Sequence, residues 1–219
     1  PQTGQVVYGR LIDHEVILAR SDLPPGYLRL SNPQKGTFKN IIQIPELNIS
    51  VARGWCSVDV VSRGEPFRFI CSHLEVEDFP PLQYAQALEL LAGPANTKMP
   101  VVLVGDFNAD PLGRTGTDTY SLFPAAGFKD AWLEVNSANP AGGLTWGHDP
   151  FLADPTAPFS VRIDFVLYRA PQFTPVLAEV LDPTLNSTQP PMWPSDHAAV
   201  SAAFMLGNPK SFGKNAERK

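Results

Sequence analysis

The 219-residue sequence predicts an α/β fold dominated by antiparallel strands. Three observations predict it. Apolar runs of strand length outnumber helical patterns roughly two to one. Residues 55–61 and 66–72 alternate apolar and polar side chains on either side of Arg63-Gly64, the pattern of a hairpin. No glycine-rich loop of the dinucleotide-binding kind follows any strand.

The elements can be justified in chain order. Residues 6–20 read as two short strands, the clearer at Glu15-Val16-Ile17-Leu18-Ala19, and Pro24-Pro25-Gly26 is a turn. Gly36-Thr37-Phe38-Lys39-Asn40 leads into a strand at Ile41-Ile42-Gln43-Ile44, which Pro45 ends. The hairpin follows. Leu82, Ala85, Leu88 and Leu91 recur at helical spacing with Gln83, Gln86 and Glu89 between them, and Gly93-Pro94 closes that helix. Residues 101–104 are four apolar residues, the signature of a buried strand. Residues 120–126 suit a short helix before Gly127. Residues 162–168, 175–180 and 198–206 are strands, the first carrying a single Asp inside it. No repeat or linker interrupts the pattern, so residues 1–207 read as one domain and residues 208–219 as a polar tail.

Hydrophobic content of 43% with 18% charged residues is that of a globular chain rather than a disordered one. No run approaches the ~18 apolar residues of a membrane span. The first ten residues lack a signal-peptide pattern. A net charge of −5 argues against broad, sequence-independent nucleic-acid binding, which relies on Lys and Arg neutralising phosphates. The hairpin places Cys56 opposite Cys71, and both a cross-strand disulfide and two buried thiols fit that placement. The 23 prolines exceed the usual ~5% and suit a loop-rich, extracytoplasmic protein.

Chemistry concentrates at strand ends. The apolar run 101–104 empties into Gly105-Asp106-Phe107-Asn108. In extended chain the i, i+2 spacing puts Asp106 and Asn108 on one face, where a carboxylate can hold a cation or orient water and an amide can donate to a phosphate oxygen. The same four residues are also turn formers. Ser195-Asp196-His197 precedes the last strand, and reads either as a site or as a capped turn with a solvated imidazole. His73 ends a strand in Ser72-His73-Leu74. Asp164 lies between large apolar residues and needs a partner if buried: an imidazolium, or Arg162 or another Arg.

Taken together, Ser72-His73-Leu74, Gly105-Asp106-Phe107-Asn108, Arg162-Ile163-Asp164-Phe165-Val166 and Ser195-Asp196-His197 resemble the endonuclease/exonuclease/phosphatase superfamily in order and spacing. The resemblance covers about residues 6–206. It implies a four-layer, deoxyribonuclease I-like sandwich: two packed, mostly antiparallel sheets flanked by helices, with the site at one end. It also implies roles. Asp106 orients or activates the attacking water, Asn108 binds the scissile phosphate and His73 contacts a phosphate oxygen. His197 exchanges a proton or stabilises the transition state, with Asp164 orienting its ring. Asp196, with Asp106, supports Mg²⁺, Mn²⁺ or Ca²⁺. The family's early Asn and its main metal-ligand Glu have no counterpart in the sequence, so the chain reads as lacking the N-terminal part of the domain and is expected to be weakly active or inactive alone. The expected activity is that of a metal-dependent phosphoesterase acting on nucleic acid, phospholipid or a small molecule. The alternative is a silent binding domain on the same fold. Arg10, Arg29, Lys35 and Lys39 are the candidate nucleic-acid contacts, and Trp193, Met192 and Phe151-Leu152 the candidate lipid contacts. Gly36-Thr37-Phe38, Arg53-Gly54-Trp55 and Met192-Trp193-Pro194 most resemble bacterial, often exported members of the superfamily, and that resemblance favours export.

Overall fold

A computed structural model describes residues 13–148, 151–153, 159–181 and 192–207. In chain order the strands and helices are β1 (Leu28–Thr37), β2 (Ile42–Ile44), β3 (Ile49–Val51), β4 (Gly54–Ser62), β5 (Glu65–His73), α1 (Pro80–Ala92), β6 (Val101–Asp106), α2 (Leu122–Ala125), β7 (Lys129–Asp130), α3 (Ala131–Val135), β8 (Asp164–Arg169), β9 (Phe173–Leu181) and β10 (Ala199–Leu206). The order β1-β4-β5-β6-β8-β7 forms a six-stranded sheet, and β10-β9 and β2-β3 form two-stranded sheets. This is a mixed α/β architecture, with β5 and β6 the parallel pair in the main sheet and α1 the crossover between them.

The main sheet places the site. β5 and β6 run parallel and β6 and β8 antiparallel, in registers that pair His73 with Asp106 and Asp106 with Asp164. Directly opposite residues project to the same face, so one row across three strands gathers three of the expected groups. Gly105 makes the parallel pairing possible. It has φ +140°, and a Cβ there would stand 1.8 Å from the Ser72 carbonyl oxygen.

The two faces of the sheet are covered differently. On one, Leu90 and Ala87 of α1 pack with Ile70, Leu103, Phe107 and Phe123 in a fully buried cluster. On the other, the β9–β10 pair covers β5, β6 and β8 through Phe67–Phe173 and Tyr168–Phe204 ring contacts at 5.3 and 5.2 Å. A trough of about 680 Å³ remains between that pair and Phe67, Phe69, Val102 and Val104.

The structure corrects several expectations. Residues 13–20 form no strand, and residues 6–12, with the tail 208–219, lie outside the described residues. β1 is a strand where only a turn and a lead-in are expected. It is mostly exposed, pairs among the described residues only with β4 and shifts register between Ser31 and Gln34, so it lacks an alternating signal. In α1 the buried stripe runs through Gln83, Gln86, Ala87 and Leu90, while Leu88 is exposed. Cys56 and Cys71 are register partners, and both thiols are free. Burial first, then the neighbouring thiol and Glu15, pushes the Cys71 thiol up to about 11. Among the described residues no helix is long and apolar enough to cross a membrane.

Candidate active site

The Gly105-Asp106-Phe107-Asn108 motif is both a turn and a site. Asp106 closes β6, and its Oδ1 accepts the Asn108 backbone N–H at 2.9 Å. Phe107 is fully buried and packs against Phe123 and Phe165 at 4.9 and 5.8 Å, which pins the turn to the core. Asn108 adopts φ +50°, a conformation Asn tolerates, and turns its amide back so that Nδ2 donates to the Leu74 carbonyl at 3.0 Å.

The buried glutamines of α1 explain themselves here. Gln83 Nε2 donates to the backbone carbonyls of both Asn108 and Glu75 at 2.9 Å, and its Oε1 accepts from Thr117 at 2.8 Å. Gln86 Oε1 accepts the Glu75 N–H at 2.8 Å. The helix thus ties together the loops that follow β5 and β6. Sequence periodicity treats both residues as surface positions, and only their tertiary partners identify them.

His197 stands opposite. Its Nδ1 lies 2.8 Å from Asp164 Oδ2, and its Nε2 points toward Asp106 Oδ2 at 3.9 Å. Its backbone N–H donates to Ser195 Oγ at 3.0 Å, the expected Ser-Asp-His turn. Burial pulls the His197 pKa down, but the Asp164 hydrogen bond and the charges of Asp164, Asp106 and Asp196 outweigh it, and the net shift is upward. The Asp164 carboxyl is also shifted up, first by burial and then by Asp106, against the opposing pull of His197 and Thr145. Thr145 Oγ1 accepts the Asp164 backbone N–H at 3.3 Å.

His73 completes the group. Its Nε2 is 3.3 Å from Asp106 Oδ2 and 3.3 Å from Asn108 Nδ2. Its Nδ1 faces Arg53 Nη1 at 3.0 Å. Arg53 also pairs with Asp13 at 2.6 Å and approaches Glu75 at 3.5 Å. The sequence showed Arg53 only as part of Arg53-Gly54-Trp55, without a role. Gly54 lets the start of β4 approach β1, because a Cβ there would stand 2.4 Å from the Gly36 carbonyl oxygen.

His73, Asn108, Asp164 and His197 therefore converge on Asp106. Asp196 lines the same cleft, which measures about 310 Å³ and is also walled by Arg53, Glu77, Asp78, Thr115 and Trp146. Among the described residues the tight three-residue grouping of possible metal ligands is Asp106, Asp164 and His197, without Asp196. Arg29, Lys35 and Lys39 do not line this cleft, and Arg10 lies outside the described residues. Trp193 stacks on His148 at a 4.2 Å ring separation, whereas Phe151 is 81% exposed.

A profile of the Endonuclease/Exonuclease/phosphatase family matches residues 10–197. The chain belongs to that family. Among solved structures it is similar to a mannosyl-6-phosphatase of Bacteroides thetaiotaomicron, with 17% identity and a TM-score of 0.59, over 83% of this chain and 68% of that one. It is similar to the human Nocturnin catalytic domain with bound sulfate, with 18% identity and a TM-score of 0.56, over 83% of this chain and 61% of that one. It is also similar to D. rerio TDP2 complexed with a single-strand DNA product, with 18% identity and a TM-score of 0.58, over 82% and 69%. The chain thus spans roughly two thirds of these structures' length, and 61% of the Nocturnin domain. At these identities the likeness is one of fold. No curated protein sequence matches the chain. In this Endonuclease/Exonuclease/phosphatase chain the four sequence motifs used to infer the family are the ones that meet at one end of the main sheet.

Proposed function

We propose that this chain is a divalent-metal-dependent phosphoesterase that cleaves a phosphodiester or phosphomonoester by in-line attack of water. The observation that carries the reading is the Asp164–His197 pair at 2.8 Å, its free Nε2 turned toward Asp106 across an open cleft that Asn108 and His73 also enter.

The donor chemistry of the cleft fits a hard cation. Four carboxylates, Glu77, Asp78, Asp106 and Asp196, line it against one guanidinium, Arg53. Oxygen donors of this kind suit Mg²⁺, Mn²⁺ or Ca²⁺. Asp106, Asp164 and His197 also lie within ligand range of one another, but the close Asp164–His197 contact already uses one atom of each. Asp106 and Asp196 are therefore the residues that would hold the ion, which when bound would neutralise charge on the phosphoryl oxygens.

The remaining steps belong to side chains. Asp106 orients the attacking water and draws its proton. Asn108 Nδ2 faces the phosphoryl oxygens, where a fixed donor stabilises developing charge, and His73 Nε2 stands beside both Asn108 and Asp106 at the same wall of the cleft. Asp164 holds the His197 ring by Nδ1, so that Nε2 is presented to the ester oxygens for proton exchange as the P–O bond breaks. The upward-shifted His197 pKa keeps more of it protonated near neutrality, as a proton donor needs.

Hydrolysis of bis(p-nitrophenyl) phosphate with Mg²⁺ or Mn²⁺, with and without EDTA, tests the reading. EDTA-sensitive turnover that Asp106→Asn and His197→Ala both abolish is the expected result. Absence of turnover in folded protein would instead support a silent binding domain on the same fold.

A further inference from the structure

We propose that Arg53 is a positioning residue that fixes His73 as its Nε2–H tautomer, so that His73 donates to Asp106 and sets the direction of that carboxylate. The tautomer stands on geometry alone, and only its effect on turnover rests on the phosphoesterase reading.

The guanidinium can donate but never accept. Its Nη1 lies 3.0 Å from His73 Nδ1, so that nitrogen must present a lone pair. The proton of the neutral ring is then on Nε2, which faces Asp106 Oδ2 at 3.3 Å, an acceptor. Both ends of the ring agree. In the opposite tautomer Nδ1–H would point at a cation and the Nε2 lone pair at a carboxylate. Asn108 Nδ2, also 3.3 Å from Nε2, gives one hydrogen to the Leu74 carbonyl at 3.0 Å and has a second that could face the ring, so it is the one contact on this side that favours the other tautomer; the charged donor on Nδ1 at 3.0 Å and the carboxylate at Nε2 outweigh it.

One acceptor competes for Nδ1. Asp13 Oδ2 is 3.3 Å from it, but the same oxygen already receives Arg53 Nη1 at 2.6 Å. The Arg53 contact with the ring is the shorter one. The guanidinium is also held in place: its side chain is 16% exposed, it lies between Asp13 and the buried Glu75, and the Arg53 carbonyl accepts the Phe38 N–H at 2.9 Å. Glu75 is anchored in turn by its own N–H on Gln86 and by the Val76 N–H on its Oε1. A line of contacts therefore runs from Asp13 through Arg53 and His73 to Asp106, on the side of Asp106 away from His197. Asp106 is oriented from one flank and faces the proton-exchanging imidazole on the other.

The experiment is long-range ¹H–¹⁵N correlation on the metal-free, ¹⁵N-labelled chain, with His73→Gln used to assign the signals. Wild type is expected to show His73 with a protonated Nε2 and an unprotonated Nδ1. An Nδ1–H tautomer in that spectrum would overturn the proposal without any further variant. Arg53→Met is expected to hand Nδ1 to Asp13 and convert the ring to Nδ1–H, whereas Arg53→Lys, which keeps a donor, retains Nε2–H. An unchanged tautomer in folded Arg53→Met would equally overturn it. If Arg53→Met fails to fold, Asp13→Asn serves: it leaves Arg53 on Nδ1, so Nε2–H must persist, and conversion to Nδ1–H would refute the assignment. With an active preparation, Arg53→Met should lower kcat by about 10–100-fold, the usual scale for losing such an outer partner, with KM little changed.

Discussion

Two acidic pairs lie within three residues of chain and have opposite fates. Arg162 pairs with Asp130 at 2.6 Å, each side chain 3% exposed. Asp164 pairs with His197 at 2.8 Å, with side chains 20% and 25% exposed. The first pair is closed. Asp130 also accepts from Tyr120 Oη and from the Trp132 N–H that starts α3, and the Arg162 guanidinium lies over the Phe165 ring at 4.9 Å. Nothing in it faces the cleft. The second pair is open, since His197 Nε2 faces Asp106 and the cleft rather than a closing partner. Alternation along the strand sends side chains two residues apart in the same direction, so the difference comes from what precedes β8. Asp164 is its first residue, and Arg162 lies outside it. The two pairs thus divide into one that is sealed in the interior and one that stands open to the cleft. The partner of each is what separates them, and it also settles the choice left open for Asp164 between an imidazole and Arg162.

The contrast can be broken from either side. The largest effect is expected at the open pair: His197→Ala should lower kcat by about 10²–10⁴-fold, the scale of a lost general acid–base group. Its urea midpoint should move little. A large loss of stability with unchanged turnover would reverse the roles assigned to the two pairs. At the closed pair, Arg162→Met should cost about 3–5 kcal/mol of stability by urea denaturation, because it strands the Asp130 carboxylate in the interior. A double replacement of Arg162 and Asp130 by apolar residues should recover much of that loss, and failure to recover it would show that the pair does more than neutralise itself.

Smaller effects sharpen the same comparison. Gln83→Leu should cost about 1–3 kcal/mol, measured in the same way, by leaving the Asn108 and Glu75 carbonyls and the Thr117 hydroxyl without their buried partner. The smallest concerns Asp110, a third carboxylate at this end of the molecule. Burial pushes its pKa up, but Arg114 and the backbone N–H groups of Arg162 and Leu112 push harder, so the net shift is down. Its folded pKa is below its unfolded one. Its contribution is therefore present above the unfolded value of about 3.9 and lost as pH falls through the folded value. The stability gap between wild type and Asp110→Asn should narrow as pH is lowered from 6 to about 3. A gap that stays constant would show that Asp110 acts only through packing.

The sequence made the site more legible than its supports. His73, Asp106 and His197 each stand where an apolar run meets polar residues, which makes a strand end visible, whereas Asp164 reads as lying inside a strand of residues 162–168 and in fact begins β8. The β4–β5 hairpin was readable for the same reason, since its two faces differ and Arg63-Gly64 supplies the positive-φ turn. β1 was not readable. An edge strand with a register shift, carrying Pro33 and an Asn32 at φ +51°, has neither alternation nor a buried face. The buried face of α1 was misread because hydrophobicity ranks Leu88 above Gln83, while burial is decided by the carbonyls the glutamines must satisfy. Arg53 carried no signal because its meaning depends on Asp13, His73 and Glu75, which are distant in sequence.

Gly105 gives the arrangement its dimension. The row His73–Asp106–Asp164 is spaced by backbone pairing alone, and that pairing is possible only because nothing projects from residue 105 toward the Ser72 carbonyl. Any side chain there would wedge β6 away from β5 and separate the imidazole from the carboxylate. In a directed-evolution library the loops around the cleft can drift, but this position cannot: the spacing of the row is inherited from a missing atom.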